Sequence, residues 1–426
     1  MKTTIFILIS CVCLVYFEIS NAQEIKQDTT TAISNLEKGE ELFKKQEFDS
    51  AFVYYRKASL IYESHKLWEN FLNCEVRVSE CYSSKNNYDK AIKNTKVAIV
   101  KSLDHINEEN INISKAYSSL GIYYYYREIL DSTLFCFQKS LRIKKKLLGD
   151  KHIEIADLYN NLGTINDKKG DYDVSLNYYK NALDLYIELL GNSNPRVAGS
   201  YNNIGNTYDN KGEYNLAIEY HQKALKIKLE LVGENHPSTA DSYNNIGVSY
   251  KNKGEYDLAI EYYLKSLDIK KQVINENHPS IAESYNNIGN AYNNKKDYDM
   301  AIKYHKKALD IRTALYGKEH PYIALSYNNI GTSYADMEEY ETALKYFNDA
   351  HKLFIRFLGE KHPLVARTYN NIGSTYYYMK QTGLSLKYFN TALAIKKEIF
   401  GKKHPTTALT YIMIGNAYFD LHKYDL

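Results

Sequence analysis

PSTADSYNNIGVSYKNKGEYDLAIEYYLKSLDIKKQVINENH, residues 237–278, is the stretch from which the fold can be read. Proline at the first position of a helix costs nothing, because the N–H it lacks would be unpaired there. After Pro237, the residues Ala240, Tyr243, Ile246, Gly247 and Tyr250 follow at spacings of three and four, which is one helical face. Lys253-Gly254-Glu255 interrupts the pattern, since glycine can close a helix in the left-handed conformation. Tyr256, Ala259, Ile260, Tyr263, Ser266, Leu267 and Ile269 then resume a helical stripe, which Asn275, Asn277 and the next proline end. The segment predicts two antiparallel helices.

Working outward, the same segment recurs every 42 residues. All six prolines obey that spacing, at Pro195, Pro237, Pro279, Pro321, Pro363 and Pro405. A Tyr-x-x-Leu/Ile-Gly core starts at Tyr117, Tyr159, Tyr201, Tyr243, Tyr285, Tyr327, Tyr369 and Tyr411. His-Pro precedes the later cores, from His236 to His404, and weakens to Asn194-Pro195 and His152-Ile153 before the earlier ones. Two further copies lie upstream, marked by Gly39, Tyr55 and Ala58 and by Ser79, Tyr82 and Ala98. About ten copies follow, the last incomplete, and a period of that length is the mark of a stacked repeat array. Glycine inside a helix costs roughly 0.5–1 kcal/mol relative to alanine. Its use at Gly247 and equivalent places predicts that the second helix crosses close by, with Ala259 as the small residue opposite.

The positions Tyr243, Ile246, Gly247, Tyr250, Tyr256, Ala259, Tyr263 and Ser266 resemble the core of the tetratricopeptide repeat. The 42-residue period, the His-Pro and the paired asparagines are similar to the kinesin light chain variety of that repeat. The resemblance covers about residues 32–426, though nothing is similar to that protein's heptad region. It implies an all-α, right-handed superhelical solenoid of helix pairs. It also implies a non-enzymatic scaffold whose first helices line a concave face that takes a peptide or protein segment.

In such relatives an asparagine at the second position after the tyrosine forms a ladder along a bound peptide. Carried over, that points to Asn161, Asn203, Asn245, Asn287, Asn329 and Asn371. Their neighbours Asn160, Asn202, Asn244, Asn286, Asn328 and Asn370 are candidates beside them. Asparagine is a poor helix former, so two together in six successive copies call for a reason. A carboxamide both donates and accepts, and can pair with a peptide backbone whatever the side chains are. The bland alternative is that the asparagines bond to the neighbouring repeat and serve the array alone. Asp157, Asp167, Asp209, Asp241 and Glu283 tint the middle of the array acidic, and Lys115 and Arg367 lie nearer its ends. Packing accounts for most of the 43 tyrosines, but the runs holding Tyr123, Tyr125, Tyr126, Tyr377 and Tyr378 are too dense for every ring to be core.

The ends and the composition set the setting. Lys2, the apolar run 5–17 and Ser20-Asn21-Ala22 predict a secretory signal over residues 1–22, followed by a short linker over 23–31. The expected location is therefore exported, periplasmic or extracellular, with no transmembrane segment after cleavage. Leu8-Ile9-Ser10-Cys11 resembles a lipoprotein box, but apolar residues continue past Cys11. Cys74, Cys81 and Cys136 remain after cleavage, an odd number that suits buried hydrophobes better than a disulfide framework. Net charge is +3 without a basic stripe, which argues against nucleic acid.

No phosphate loop, Cys-x-x-Cys, His-Glu-x-x-His or Gly-x-Ser-x-Gly occurs, so no enzyme activity, cofactor or metal is expected. The histidines come one per repeat, roughly 10 Å apart by helix-packing distance, and suit helix starts better than a metal. The incomplete last copy, ending at His422–Leu426, keeps a second class of function open. That is the sensory or docking region of a longer signalling protein, such as a histidine kinase or a caspase-like protease with similar repeats.

Overall fold

A computed structural model describes residues 25–402 and 404–421. The expected signal segment 1–22 and the closing stretch 422–426 lie outside the described residues. Within them the chain forms nineteen helices and no strand. The first six are α1 (25–44), α2 (Phe48–Ser64), α3 (Trp68–Ser84), α4 (Tyr88–Leu103), α5 (Ile111–Tyr126) and α6 (Leu130–Leu148). Then come α7 (Ile153–Lys169), α8 (Tyr172–Leu190), α9 (Pro195–Lys211), α10 (Tyr214–Val232), α11 (Pro237–Lys253) and α12 (Tyr256–Val273). The rest are α13 (Pro279–Asn294), α14 (Tyr298–Tyr316), α15 (Pro321–Asp336), α16 (Tyr340–Leu358), α17 (Pro363–Tyr378), α18 (Thr382–Phe400) and α19 (Pro405–Asp420). The fold is all-α, an array of helix pairs, as the period predicts. By contact density the chain divides into two compact units, Met1–Thr207 and Tyr208–Leu426.

One boundary differs from the sequence expectation. The stretch read as a linker is helical from residue 25. Three threonines there are poor helix formers on paper. Their hydroxyls fold back on the preceding turn, Thr29 to the Ile25 carbonyl, Thr30 to Lys26 and Thr31 to Gln27, at 2.8, 2.8 and 3.1 Å. Asp28 is tied to His65 at 2.9 Å, and Ala32 is fully buried, so tertiary contacts hold the turn.

Helix starts in the later pairs are set by the His-Pro. His236 has extended backbone, and its Nδ1 accepts from the Ser238 N–H at 3.2 Å while Pro237 needs no partner. His152, His278, His320, His362 and His404 make the same cap. The turn between paired helices needs one left-handed residue. Gly254 supplies it at φ 91°, but Glu128, Lys296, Glu338 and Lys380 adopt the same conformation without glycine. That costs an ordinary side chain about 1–2 kcal/mol. At Lys296 the turn is held by hydrogen bonds from the Lys296 N–H to the Asn293 carbonyl and from the Asp297 N–H to the Tyr292 carbonyl, both 2.9 Å.

Glycine within the first helix answers to a ring. A Cβ on Gly247 would stand 2.7 Å from the Tyr263 ring and 3.2 Å from the Ala259 carbonyl oxygen. The close approach is thus made by the aromatic side chain four residues beyond Ala259, with the Ala259 backbone behind it. The same meeting recurs at Gly121 with Phe137, Gly163 with Tyr179, Gly289 with His305, Gly331 with Phe347 and Gly373 with Phe389. Around these, Ala259, Ile260, Tyr263, Leu267, Ile281, Ala282 and Ile288 form a buried core that joins one pair to the next.

Candidate functional site

The paired asparagines sit on the first helices, half-buried except for the buried Asn328 and Asn370, and most are tied across neighbouring pairs. In the first unit Asn203 Nδ2 donates to Asn160 Oδ1 at 3.0 Å. In the second unit Asn287 donates to Asn244 at 3.0 Å, Asn329 to Asn286 at 2.5 Å and Asn371 to Asn328 at 2.9 Å. The second asparagine of one copy therefore holds the first asparagine of the copy before it. Asn202 and Asn245 are also engaged. Asn161 sits half-buried on α7. Asn370 turns its Nδ2 to Thr410 Oγ1 at 3.0 Å, leaving its buried Oδ1 without a partner among the described residues.

The bland reading of these residues is thus present in the geometry, but it uses only part of each carboxamide. Each donating asparagine gives one of its two N–H groups. No described residue donates to the Oδ1 of Asn203, Asn287, Asn329 or Asn371. Within each unit the inter-pair bond orients the donating carboxamide, and these asparagines make up a row of equivalent positions on successive first helices.

The second helices also carry cations, a column of equivalent sequence positions, that the sequence reading passed over. Lys144, Lys228, Lys270, Arg312 and Lys396 occupy one position of the second helix, and the first, third and last are 6–7% exposed. Each reaches toward a first helix. Lys228 Nζ donates to the Ser238 carbonyl at 3.1 Å, Lys396 to the Thr406 carbonyl at 3.2 Å, and Arg312 Nη1 to Ser326 Oγ at 2.8 Å. Lys144 pairs with Glu154 at 2.7 Å, which holds that carboxyl below its usual range, and Lys270 lies 3.5 Å from Asp241. Burial pulls Lys228, Arg312 and Lys396 down. The signal in the sequence was a basic residue recurring at multiples of 42 beside an apolar stripe.

In the second unit the row and the column meet in a cleft of about 540 Å³ lined by Glu283, Asn286, Asn287, Arg312, Tyr316 and Tyr322 among others. The corresponding place in the first unit is a cleft of about 350 Å³, where Lys115, Ser118, Ser119 and Lys144 stand at the matching positions. Most of the expected acidic positions are spent on structure. Asp157 accepts from Tyr186 Oη at 2.6 Å and pairs with Arg196 at 3.1 Å. Asp209 accepts from Ser249 Oγ at 2.5 Å beside the buried His221. Asp167 is engaged as well, Arg367 is pulled down by burial, and Lys115 is exposed.

The dense tyrosine runs split between core and surface. Tyr123 is 2% exposed, while Tyr126 and Tyr378 are 57% and 60% exposed. The repeat histidines spend Nδ1 on a backbone N–H. Among the described residues no three histidine, cysteine or acidic side chains gather in a way that could hold a metal. Nor is any described helix long and apolar enough to cross a membrane.

The sequence pattern of the tetratricopeptide repeat matches residues 112–188, 156–230, 196–272, 238–294, 280–354, 322–398 and 364–426. No curated protein matches the chain. Among solved structures, the apo form of RapI is similar with a TM-score of 0.62 and 17% identity, covering 86% of this chain and 98% of that one. The apo form of the quorum sensor NprR from B. thuringiensis is similar at 0.60 and 15% identity, over 88% and 99%. BtubC (BKLC) from P. vanneervenii is similar at 0.47 and 24% identity, over 54% and 92%. At these identities the likeness is one of fold.

Proposed function

Given that this chain belongs to the tetratricopeptide repeat family, we propose that it is an exported, non-enzymatic scaffold that holds an extended peptide or protein segment along its first helices. The observation that carries this reading is the asparagine row. Asn203, Asn287, Asn329 and Asn371 are each tied by one hydrogen bond to the first asparagine of the preceding pair, and no described residue donates to their Oδ1. A peptide backbone presents the complementary groups at regular intervals, and its side chains need not match. Successive pairs stand roughly 10 Å apart by helix packing. An extended chain rises about 3.3 Å per residue, so one pair meets about three residues of ligand. The proposal includes export to the periplasm or outside the cell, supported by the apolar run and small-residue site near the N-terminus.

The test is a triple change, Asn203, Asn287 and Asn329 to alanine, read on an array of unrelated extended peptides. Peptides held by the parent chain are expected to lose at least tenfold in affinity, with helical circular dichroism retained. Retained affinity in a folded variant would contradict the role of the row. Unfolding would assign the asparagines to the array alone.

A further inference from the structure

The second helices carry a second aromatic slot, one residue before the ring that meets the glycine. In four successive pairs of the second unit a tyrosine fills it, stacked on one tyrosine of the first helix and tilted against a second. Tyr304 lies 5.9 Å from Tyr285 and 5.5 Å from Tyr292, centroid to centroid. Tyr262 sits likewise between Tyr243 and Tyr250, Tyr346 between Tyr327 and Tyr334, and Tyr388 between Tyr369 and Tyr376. In the first unit Tyr178 takes this place on α8, 6.0 Å from Tyr159.

The pair α5–α6 keeps both outer rings, Tyr117 and Tyr124, but has Cys136 where the middle ring belongs. The register is secure, because Phe137, the next residue, meets Gly121 as Tyr263 meets Gly247. The room has not closed. A cleft of about 450 Å³ opens there, lined by Tyr117, Leu120, Tyr124, Phe135, Cys136 and Ile99, with Lys96 and Asp131 also on its wall. Cys136 is 2% exposed and its thiol is pushed up to about 12 by burial, so it contributes a neutral, apolar surface. Phe135 stands 54% exposed beside Tyr117, at 6.4 Å in an edge-on contact. A solvent-open cleft with a mostly apolar lining and a few polar groups favours a ligand of matching shape.

We propose that the slot between Tyr117 and Tyr124 is a binding site for a planar aromatic ring of phenol size, which takes the place the tyrosine occupies in the other pairs. One ring is offered for stacking and one for a tilted contact, and Lys96, beside an Asp131 already paired with Lys169 at 2.7 Å, gives a polar partner for a substituent. A free phenolic or indolic molecule and an exposed tyrosine of a partner share this chemistry.

The test uses 4-methylphenol, the missing side chain itself, titrated calorimetrically into the full chain, with 4-methylcyclohexanol as the non-planar control of equal size. A one-to-one isotherm is expected, with Kd on the order of a millimolar or tighter, as eight heavy atoms allow. The alcohol is expected to bind at least tenfold more weakly. A blocked Gly-Tyr-Gly peptide separates the sources. Tighter binding of the peptide than of the phenol assigns the site to a partner's tyrosine, and the reverse assigns it to a small molecule. Cys136→Tyr is expected to abolish binding of both and to raise the melting midpoint by about 2–4 °C. If that variant does not fold, Tyr124→Ala, which removes one wall, must still weaken binding at least tenfold. No saturable binding of either probe, equal binding of the control, or undiminished binding in the variants would overturn the site.

Discussion

The pairs α5–α6 and α13–α14 are built alike and furnished differently. In both, a Cβ on the helix glycine would stand 2.7 Å from a ring, Phe137 over Gly121 and His305 over Gly289. Both turns use a non-glycine left-handed residue, Glu128 or Lys296. In the side chains set around this frame, the two part. Ser118 and Ser119 stand where Asn286 and Asn287 do, Cys136 where Tyr304 does, and an ion-paired Lys144 where Arg312 bonds a serine. The ring that closes on the helix glycine is kept, and what lines a cleft is free to change. The pairs are therefore not one surface repeated but a common frame carrying different contacts.

Breaking the shared part should have the largest effect. Gly121→Leu and Gly289→Leu each drive a branched side chain into a ring that has no free room, and overpacking of this kind costs about 3 kcal/mol. Urea unfolding should show similar losses at both sites. A leucine tolerated at either without a shift of midpoint would show that the frame is not common to the two pairs.

Next comes a difference that pH should expose. Burial, with a smaller push from Arg312, pulls His305 down to about 4 from 6.5. Its Nδ1 has no partner, so nothing compensates a charge there. The unfolded chain takes up a proton near 6.5 that the folded pair accepts only near 4. The contribution is thus intact above about pH 6.5, falls as pH drops toward 4, and is lost below it. Its size is on the order of 3 kcal/mol. Phe137, in the same slot of α5–α6, cannot titrate. His305→Phe should therefore flatten the difference in unfolding free energy between pH 7 and pH 4, relative to the parent chain. An unchanged pH profile would place His305 outside the buried slot.

How much of this was legible follows the same division. Pro237 and Gly247 declared the helix start and a close approach, although the sequence put Ala259 opposite Gly247 where the Tyr263 ring stands first. The helix over residues 25–31 was not legible, since its threonines are held by bonds to the preceding turn and its Asp28 by His65. Lys228 and Arg312 were passed over, because a lysine or arginine reveals its burial only when the next pair is stacked on it. The asparagine row was found as residues but not as geometry. Sequence offered ligand contact or inter-repeat bonding as alternatives, and the carboxamide of Asn287 supplies the second while leaving its Oδ1 uncommitted. Cys136 looked like an ordinary buried thiol until its register placed it in a slot that tyrosines fill elsewhere.

The most direct measurement concerns how a ligand is read. A peptide selected by the chain should be resynthesised twice, once as a series of single alanine substitutions and once as a series of single backbone N-methylations. If the asparagines hold the main chain, N-methylation at positions about three residues apart will cost tenfold or more, while alanine is tolerated at most positions. Affinity that ignores N-methylation and collapses on single alanine changes would contradict backbone recognition by the asparagine row.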